Sequence, residues 1–362
     1  MSKISLAVFF GGNSNEHDIS VITGMLAVNL LRETYDVLPV YLPREGGMAV
    51  GKELYSVADF RVDTRKKLTP VYLRGQTLVT AKGKPLKHID CALNCCHGGM
   101  GEDGTLSALF RWNGVKSASP EMPVSAAFMD KVLTKIAAAG LGIPVAKWAC
   151  VREGERFTEL PTSFPVIVKP ARLGSSIGIS VARNIEELEK ALALAFRLDD
   201  SALIEEYFQD RRDLNCAARS SGAGFEVSEV EEVFSHGEIL SFSEKYEGTG
   251  ARTSQIPAEI PQKTTKRAKE YTRRIAEQFG VRGVVRADFL LVGDTLYFNE
   301  LNTVPGSLAC YLFGESLTQS KEFLISLIED ALARREQKKE VLTTGILERG
   351  VFAGGKGSKR RG

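Results

Sequence analysis

Two short stretches near the carboxyl end, Arg286-Ala287-Asp288-Phe289 and Phe298-Asn299-Glu300-Leu301-Asn302-Thr303-Val304-Pro305-Gly306, decide how this sequence can fold. They lie in two predicted strands, Val284–Val292 and Thr295–Leu301, with Gly293-Asp294 at the reversal between them. Residues two apart on a strand point to one face, so the polar side chains of each stretch share a face. The pattern predicts an antiparallel hairpin with one polar face in an otherwise apolar sheet.

The polar face of this hairpin has the composition of a metal site. Glu300 and Asn302 share one face of their strand, and Arg286 and Asp288 repeat the arrangement on the other. Oxygen ligands of this kind suit Mg²⁺ better than zinc or iron, and an arginine beside them suits a substrate phosphate. A solvated polar face is the alternative. It is disfavoured because Asp288 and Glu300 interrupt apolar runs, where a lone carboxylate is costly to desolvate.

The register of the hairpin decides whether that metal site can form. A two-residue turn at Gly293-Asp294 without a bulge pairs Asp288 with Asn299 and sends Glu300 to the opposite face. A joint site therefore requires either a three-residue loop, which sets Asp288 opposite Glu300, or a bulge further along the strand.

Composition describes an ordinary globular protein of two or three domains. The chain has 362 residues, 43% hydrophobic and 25% charged, with a formal net charge of +2. Five basic and no acidic residues lie in 349–362, so the rest is close to neutral and no nucleic-acid surface is expected. The polar, glycine-rich segment 339–362 is predicted to be a disordered basic tail.

The cysteines and the length of the apolar runs indicate in which cellular compartment the protein is expected. The six cysteines show no CxxC pair and no zinc spacing, which favours buried thiols in a reducing compartment. Ile4–Phe10 is too short for a signal core, and no run approaches the roughly 20 apolar residues of a membrane helix. A cytoplasmic protein without a membrane partner is expected.

The chain opens with a predicted βαβ unit. A strand at Ile4–Phe10, a helix ending near Leu31 and a strand at Val37–Leu42 follow the expected order. The glycine turn between them is not GxGxxG, so a dinucleotide site is disfavoured. Glu16 and His17 would lie at the carboxyl edge of a parallel sheet, where ligands usually bind.

A second glycine-rich loop, His97–Gly104, follows the predicted buried strand Cys91–Asn94. Its glycines allow backbone amides to approach an anion, and a helix is predicted to begin near Asp103 with its positive end toward the loop. His97 could contact a carboxylate or phosphate, or it could be a satisfied loop histidine. The two interpretations stay open.

The middle of the chain carries features of a phosphate site without a P-loop motif. A helix is predicted over Ser125–Leu141, and a domain boundary near Gly142-Ile143-Pro144. The strand Pro165–Pro170 ends beside a lysine, and the Gly/Ser loop 171–178 follows, which can cover phosphates with amides and hydroxyls. The strand Ala202–Phe208 could bind an adenine through its backbone, or be a plain strand and turn.

Further elements are predicted as strands at Leu214–Arg219, Glu226–Val233 and Ile239–Phe242, and as helices at Lys266–Gly280 and Glu315–Lys339.

With these pieces assembled, the chain resembles the D-alanine–D-alanine ligases of the ATP-grasp superfamily over roughly residues 4–335. The matching motifs, in family order, are FGGNSNEHDIS, HGGMGEDGTL, MDKVLTK, PVIVKP followed by GSSIG, EKY, RADF and NELNTVPG. The resemblance implies an α/β chain, α+β in part, with an ATP-grasp fold preceded by a Rossmann-like parallel-sheet domain. The implied segments are 1–122 for the substrate-binding domain, 123–205 and 206–338 for the two ATP-grasp subdomains, and 339–362 for the tail.

The resemblance also implies the chemistry. ATP would phosphorylate the carboxylate of one D-alanine, and the amine of a second would displace the phosphate, in peptidoglycan precursor synthesis. Asp288, Glu300 and Asn302 match the Mg²⁺ ligands, with two ions expected and Mn²⁺ as a substitute. A homodimer is implied as well.

Residues are carried over position by position. Lys131 and Lys169, with Lys245 beside them, match the lysines that hold the ATP phosphates. The other implied ATP contacts are Ser175 and Ser176 in the loop, Glu205 and Tyr207 at the adenine, and Asp213 at the ribose, where the family usually has Glu.

The amino-acid contacts follow in the same way. Glu16 would hold the ammonium of the first substrate, and His97 its carboxylate region. Arg286 and the Gly306 amide would stabilise the charge that develops during transfer. The residues that would close the site are Glu16, Ser175 and Tyr246.

One departure from the family pattern concerns the second substrate. Many members follow Pro-Gly with a Met-Thr-x-x-Ser segment that holds the second carboxylate through the serine and the next amide. Here Tyr311 takes the serine position and Leu312 follows it. A related ligase with a different second amino acid or nucleophile is therefore an alternative, and a nucleotide-binding module without catalysis is a third. Lys245-Tyr246 favours peptide formation over a D-lactate ester, and the retained Arg286 disfavours the module.

Overall fold

The structure is a computed structural model that describes residues 3–57, 60, 67–155, 159–222, 224–234 and 254–335, together with 342 and 345. Residues Met1–Leu332 form one compact unit, and Ala333–Gly362 form a second, smaller one. The predicted strand Ile239–Phe242 and almost all of the predicted tail lie outside the described residues. No helix in the described part of the chain is both long and apolar enough to cross a membrane.

The first sheet has eight strands in the order β6-β5-β4-β3-β2-β1-β7-β8. Pairing is parallel from β2 through β1 and β7 to β8, and antiparallel from β2 to β6. The elements are β1 Ser5–Gly11, α1 His17–Leu31, β2 Asp36–Leu42, β3 Met48–Val50, β4 Thr69–Arg74, β5 Thr77–Thr80, β6 Pro85–His88, β7 Cys91–Asn94, α2 Thr105–Trp112 and β8 Lys116–Ser117. The predicted opening βαβ unit is confirmed.

Strand β1 is buried along its whole length because both of its faces are covered. Leu6, Val8 and Phe10 join the core that contains α1, and the alternate residue Phe9 stacks against Phe110 of α2 at 4.6 Å between ring centroids. Gly24 of α1 is required by this packing, since a Cβ there would lie 2.4 Å from the Phe10 Cβ.

The single helix predicted over Ser125–Leu141 is wrong. The chain forms two helices, α3 Met122–Met129 and α4 Lys131–Gly140, which meet at Asp130. Asp130 has an extended backbone (ψ 117°), and its carboxylate accepts hydrogen bonds from the amides of Val132 and Leu133. An aspartate that caps the second helix in this way satisfies orphan amides and ends the first.

A four-stranded antiparallel sheet follows, in the order β11-β10-β12-β9, and one face of it is covered by α5. Its elements are β9 Trp148–Arg152, β10 Val166–Pro170, β11 Ser180–Ala182, α5 Ile185–Phe196 and β12 Ser201–Glu206. Leu188, Ala191 and Ala195 of α5 pack on Val166 and Val168 of β10 in a small separate core.

The third sheet has five antiparallel strands in the order β15-β14-β13-β16-β17. The strands of this sheet and the two helices in the same part of the chain are, in chain order, β13 Arg212–Ser221, β14 Gly224–Val233, β15 Ser254–Gln255, α6 Gln262–Gln278, β16 Val284–Val292, β17 Thr295–Asn302 and α7 Leu317–Ala333. Helix α6 begins four residues earlier than Lys266 and ends before Gly280. Helix α7 ends at Ala333, short of the predicted end at Lys339.

The hairpin of β16 and β17 reverses through the two-residue turn Gly293-Asp294, since Val292 pairs with Thr295. Gly293 has φ +54°, the left-handed conformation that such turns use. The register shifts between Phe289, which pairs with Phe298, and Asp288. Asp288 therefore lies opposite Glu300, and Asn299 is the extra residue of a bulge. The three-residue loop is therefore wrong, and the alternative of a bulge further along is confirmed.

Candidate active site

A deep cleft lies between the four-stranded and five-stranded sheets, and both contribute to its walls. A neighbouring cavity shares Gly174, Ser175, Asn215, Arg286 and Glu300 with the cleft and extends toward the first sheet. Predicted site residues on the walls of the first cleft are Lys131, Lys169, Ser175, Ser176, Glu205, Tyr207, Asp213, Arg286, Asp288 and Glu300. Those on the second are Glu16, His97, Ser175, Arg286, Glu300, Asn302, Gly306 and Tyr311.

The floor of the cleft holds a buried carboxylate between two lysines. Glu205 lies 2.5 Å from the Lys169 Nζ and 2.8 Å from the Nζ of Lys135, which is only 1% exposed. Burial alone would raise the pKa of Glu205, but the two lysines hold it at about 2. Burial lowers the pKa of Lys135, and the charge of Glu205 opposes that shift. Lys169 also donates to the Asn299 side chain at 3.1 Å.

One residue on this floor was not expected from the sequence. The Glu205 carboxylate binds Lys135 and Lys169, and its expected contact with adenine stays a prediction. Lys135 was not among the expected site residues, although it lies four residues after Lys131, on the same side of a helix. Its burial depends on the distant strand β12, which local sequence does not reveal.

The other end of the cleft is aromatic. Phe208 stacks on Tyr297 with ring centroids 4.8 Å apart, and the Arg211 guanidinium lies 5.6 Å from the centroid of the Tyr207 ring. Asp213 lies 3.6 Å from the Arg211 Nε. A planar base can stack on such a surface, and Asp213 offers a carboxylate beside it.

The bulged register brings the polar side chains of the hairpin into contact on one face. Both oxygens of Asp288 accept from Arg286, at 2.7 and 2.8 Å, and Asn302 donates to one of them at 2.9 Å. Burial alone would lower the pKa of Arg286, but Asp288 raises it well above its usual range, so the guanidinium is charged. Lys131 Nζ lies 3.7 Å from a Glu300 oxygen.

This donor set fits a hard divalent cation. Asp288 and Glu300 supply carboxylate oxygens from opposed positions, and Asn302 supplies an amide. Among the described residues no group of three His, Cys, Asp or Glu side chains is gathered for a metal.

The loop after β10 connects the two cavities. Ser175 donates a hydrogen bond to the Glu16 carboxylate, which joins two of the three residues expected to close the site. Ser175 and Ser176 have φ of 52° and 59°, the left-handed region. Lys131 Nζ donates to the Leu173 carbonyl at 2.5 Å. Tyr246, the third residue expected to close the site, and Lys245, an expected phosphate contact, lie outside the described residues.

His97 is buried and neutral. Its Nε2 lies 2.8 Å from the Thr23 hydroxyl, and burial lowers its pKa to about 4. It nevertheless lines the second cavity, and it also hydrogen-bonds to the Val304 backbone. Nearby Glu102 accepts from the Gly98 amide at 2.9 Å, and burial followed by the charge of Glu16 raises its pKa to about 8.

The far wall of the second cavity contains three polar residues that follow no family motif. The Tyr311 hydroxyl donates to Glu231 Oε2 at 3.1 Å, and Asn215 Nδ2 donates to the same oxygen at 2.9 Å. Leu312 is buried in the core beside α1 and does not line the cavity, so only its backbone amide remains a candidate contact. Sequence reasoning missed Glu231 and Asn215 because both lie in ordinary-looking strands.

Known proteins are similar to this chain over most of its length. The family model described as D-ala D-ala ligase N-terminus matches residues 5–120, and the one described as D-ala D-ala ligase C-terminus matches residues 137–331. A D-alanine–D-alanine ligase of Thermosipho melanesiensis is 32% identical over 95% of this chain and 98% of its own length. One from Campylobacter lari is 32% identical, covering 89% of this chain and 92% of its own.

This chain belongs to the D-alanine–D-alanine ligase family.

Solved structures of the family share the fold. The D-alanine–D-alanine ligase of Helicobacter pylori superposes with a TM-score of 0.74 at 26% identity, covering 90% of this chain and 99% of that one. The VanG D-Ala:D-Ser ligase of Enterococcus faecalis gives a TM-score of 0.76 at 25% identity, covering 90% and 100%. The expected fold class, an ATP-grasp fold after a parallel-sheet domain, is confirmed. As a member of this family, the chain is an ATP-dependent carboxylate–amine ligase.

Proposed function

We propose that this ligase joins two D-alanines at the expense of ATP, through an acyl phosphate, to give D-alanyl-D-alanine for peptidoglycan precursor synthesis. The observation that carries the proposal is the meeting of a lysine-floored cleft, a Ser175–Glu16 pair and the Arg286-Asp288-Glu300 face at one place between two antiparallel sheets. The names of the relatives do not favour the alternative of a different second substrate.

ATP is assigned to the first cleft. Lys131 and Lys169 would contact its phosphates, with Lys245 completing the set, and the loop bearing Ser175 and Ser176 would cover them. At the aromatic end, Tyr207 and Asp213 would contact the adenine and ribose. Glu205 and Lys135 support this arrangement from below because they leave the buried trio with Lys169 at a net charge of +1.

Asp288, Glu300 and Asn302 would hold two Mg²⁺ ions, which Mn²⁺ could replace. When bound, these ions supply charge neutralisation for phosphoryl transfer. Arg286 pairs with Asp288 and would face the site where negative charge develops.

The second cavity receives the amino acids. Glu16 would bind the first ammonium, while neutral His97 would lie beside the carboxylate region of the same substrate. The first carboxylate attacks the γ-phosphorus and ADP leaves; the second amine then attacks the acyl carbon and phosphate leaves, with one proton lost from nitrogen. Arg286 and the Gly306 amide would stabilise the oxyanion of the second step. The Glu16, Ser175 and Tyr246 network would exclude water from the acyl phosphate.

We extend the proposal to the organisation of the chain. The segments 1–122, 123–205 and 206–338 would act as the substrate domain and the two ATP-grasp subdomains, and two copies would form a homodimer. All six cysteines are free thiols, which suits a reducing, cytoplasmic location.

The test is release of phosphate by purified protein supplied with ATP, Mg²⁺ and single D- or L-amino acids, with product identified by mass. D-alanine alone should support turnover and yield the dipeptide, and L-alanine should not. Absence of dipeptide with D-alanine would contradict the proposal, as would ATP hydrolysis independent of any amino acid.

A further inference from the structure

The turn that follows Gly306 has an unfavourable backbone conformation. Ser307, Leu308 and Ala309 have φ of 49°, 52° and 53°, so three consecutive residues other than glycine lie in the left-handed region. Such residues are strained and persist only where the surrounding structure holds them in place. The contacts around this turn therefore decide where the Gly306 amide lies.

Gly306 itself is open to the amino-acid cavity. It lines that cavity, and a Cβ built on it would meet no atom within 4 Å. It is the first residue of the short 3₁₀ segment Gly306–Leu312, so its amide has no partner inside that segment. No described residue accepts a backbone hydrogen bond from it. The amide can therefore donate to a bound molecule, provided that the turn keeps it in position.

Val304, two residues before Gly306, is held through both of its backbone groups. Its amide donates to Glu102 Oε1 at 3.3 Å, and the His97 ring hydrogen-bonds to its backbone. Because the amide is used by Glu102, the Val304 carbonyl is the group that accepts from His97. The other oxygen of Glu102 accepts from the Gly98 amide at 2.9 Å. This buried carboxylate thus joins the loop after β7 to the segment after β17.

Ser307, on the other side of Gly306, is held by helix α1. Its amide donates to Thr23 Oγ1 at 3.4 Å, and the same hydroxyl lies 2.8 Å from His97 Nε2. Neutral His97 has one ring proton, which it donates to Val304, so its Nε2 accepts from the Thr23 hydroxyl. Thr23 is only 2% exposed and lies within α1, which fixes its direction.

We propose that Thr23, His97 and Glu102 form a clamp that holds residues 304–307 and so sets the Gly306 amide for the acyl-transfer step. This inference rests on the proposed function, in which that amide stabilises the oxyanion. Thr23 and Glu102 are positioning residues, because they act through the turn. The clamp connects the first sheet, which carries these side chains on α1 and the loop after β7, to the reacting centre.

A loosened clamp should separate the two chemical steps. The acyl phosphate would still form and ADP would still be released, since this amide is not assigned to phosphoryl transfer. Attack by the second amine would become slow, and water would then attack the acyl carbon, returning D-alanine and phosphate. The amount of dipeptide per ADP, which is one for the coupled reaction, should fall below one.

The first experiment compares Thr23→Val with Thr23→Ser. The valine removes the hydroxyl at nearly constant volume, whereas the serine keeps it. In Thr23→Val, kcat for dipeptide should fall about tenfold to a hundredfold, since a small displacement of an oxyanion donor has effects of this size. The KM for ATP should change little and dipeptide per ADP should drop. Thr23→Ser should restore both values.

A second variant and a matched control complete the test. The amide of Glu102→Gln keeps one acceptor oxygen, so only one of Gly98 and Val304 retains its hydrogen bond, and the same uncoupling is expected. Thr272→Val is the control, because Thr272 is also a buried helical threonine, and its hydroxyl donates to the Ala268 carbonyl at 2.8 Å. It should leave dipeptide per ADP unchanged. Glu102→Gln carries the test if Thr23→Val does not fold.

The outcomes distinguish the clamp from the proposed function. Normal dipeptide turnover in folded Thr23→Val and Glu102→Gln overturns the clamp. A lower rate that leaves dipeptide per ADP at one overturns it too, as does an equal effect of Thr272→Val. If the unaltered protein makes no dipeptide from D-alanine and ATP, the proposed function itself is contradicted.

Discussion

At the scale of single residues, the site depends on charges that are buried in compensated groups. Lys135 and Glu205 are both almost inaccessible and lie 2.8 Å apart, so the charge of each compensates the burial of the other. Lys169 shares the same carboxylate and so is fixed in direction at the cleft floor. Removal of one member should therefore affect both folding and the phosphate end of the cleft.

Lys135→Met should destabilise the protein by about 2–4 kcal/mol and raise the KM for ATP, because Glu205 then neutralises Lys169. Urea unfolding and steady-state kinetics measure the two effects. In the double variant with Glu205→Gln, the loss of stability should be smaller than the sum of the single losses. Lys190→Met, at an exposed position of α5, serves as the control. An additive double variant would show that the pair is not coupled.

His97 predicts a dependence of stability on pH. Its pKa is about 4 in the fold against an ordinary 6.5, so the unfolded chain binds more protons between these values. Stability from this residue is complete above pH 6.5 and is lost as the pH falls toward 4. Glu102, with its pKa raised to about 8, acts in the opposite direction between pH 4.5 and 8.

Because the two residues act in opposite directions, the contribution of His97 is measured as the difference in the free energy of unfolding between the unaltered protein and a variant without His97. We expect the free energy of unfolding of the unaltered protein, minus that of His97→Gln, to decrease from pH 6.5 to 4.5 in urea titrations. A difference independent of pH would mean that His97 is not held neutral by burial.

At the scale of elements, the bulge in β17 sets which residues of the hairpin lie opposite each other. Asn299 adds one residue to β17, so that Asp288 and Glu300 face each other across a two-residue turn. The same residue accepts a hydrogen bond from Lys169, which ties the bulge to the cleft floor. The position of the candidate metal ligands is thus a property of strand register.

Deletion of Asn299 should remove the bulge but keep Asp288 opposite Glu300, because Glu300 then follows Phe298 directly in a regular ladder. Measurable ligase activity should therefore remain, lowered as in Asn299→Ala, which also loses the contact with Lys169. Dipeptide formation and thermal unfolding are measured together. Complete loss of activity in the deletion variant, with Asn299→Ala still active, would show that the bulge itself is needed to position the site.

At the scale of the whole molecule, the cleft lies between two sheets that each have their own core. A ligand that contacts both sheets stabilises their joint arrangement by mass action, about 2.7 kcal/mol at a hundred times its dissociation constant. Glu16 and His97, which follow strands of the first sheet, also line the neighbouring cavity, so residues from all three sheet regions meet around it.

A non-hydrolysable ATP analogue with Mg²⁺ should raise the Tm by several degrees, and EDTA should reduce the shift. In Glu300→Gln the Tm without ligand should stay near that of the unaltered protein, while the Mg²⁺-dependent part of the shift and the turnover are lost. Calorimetry with and without the metal provides both values. A shift in Glu300→Gln that still depends on Mg²⁺ would remove Glu300 from the candidate metal site.

The sequence by itself determined the order of the elements, the ATP-grasp family and fewer than half of the residues that line the two cavities. Glycine loops after buried strands, and polar residues two apart inside apolar runs, are local patterns with local physical causes. The split at Asp130 was missed although it is also local, because capping by an aspartate can override helix propensity within a single turn.

Only the tertiary structure decided the bulge at Asn299, the pairing of Lys135 with Glu205 and the contact of Glu231 with Tyr311. Each of these three features depends on residues far apart in the chain or on a one-residue shift in strand pairing. Contacts and shifts of this kind leave no periodic signal in the sequence. Burial fixes these charges, since a buried carboxylate needs a partner and the partner is supplied by whichever element the fold packs beside it.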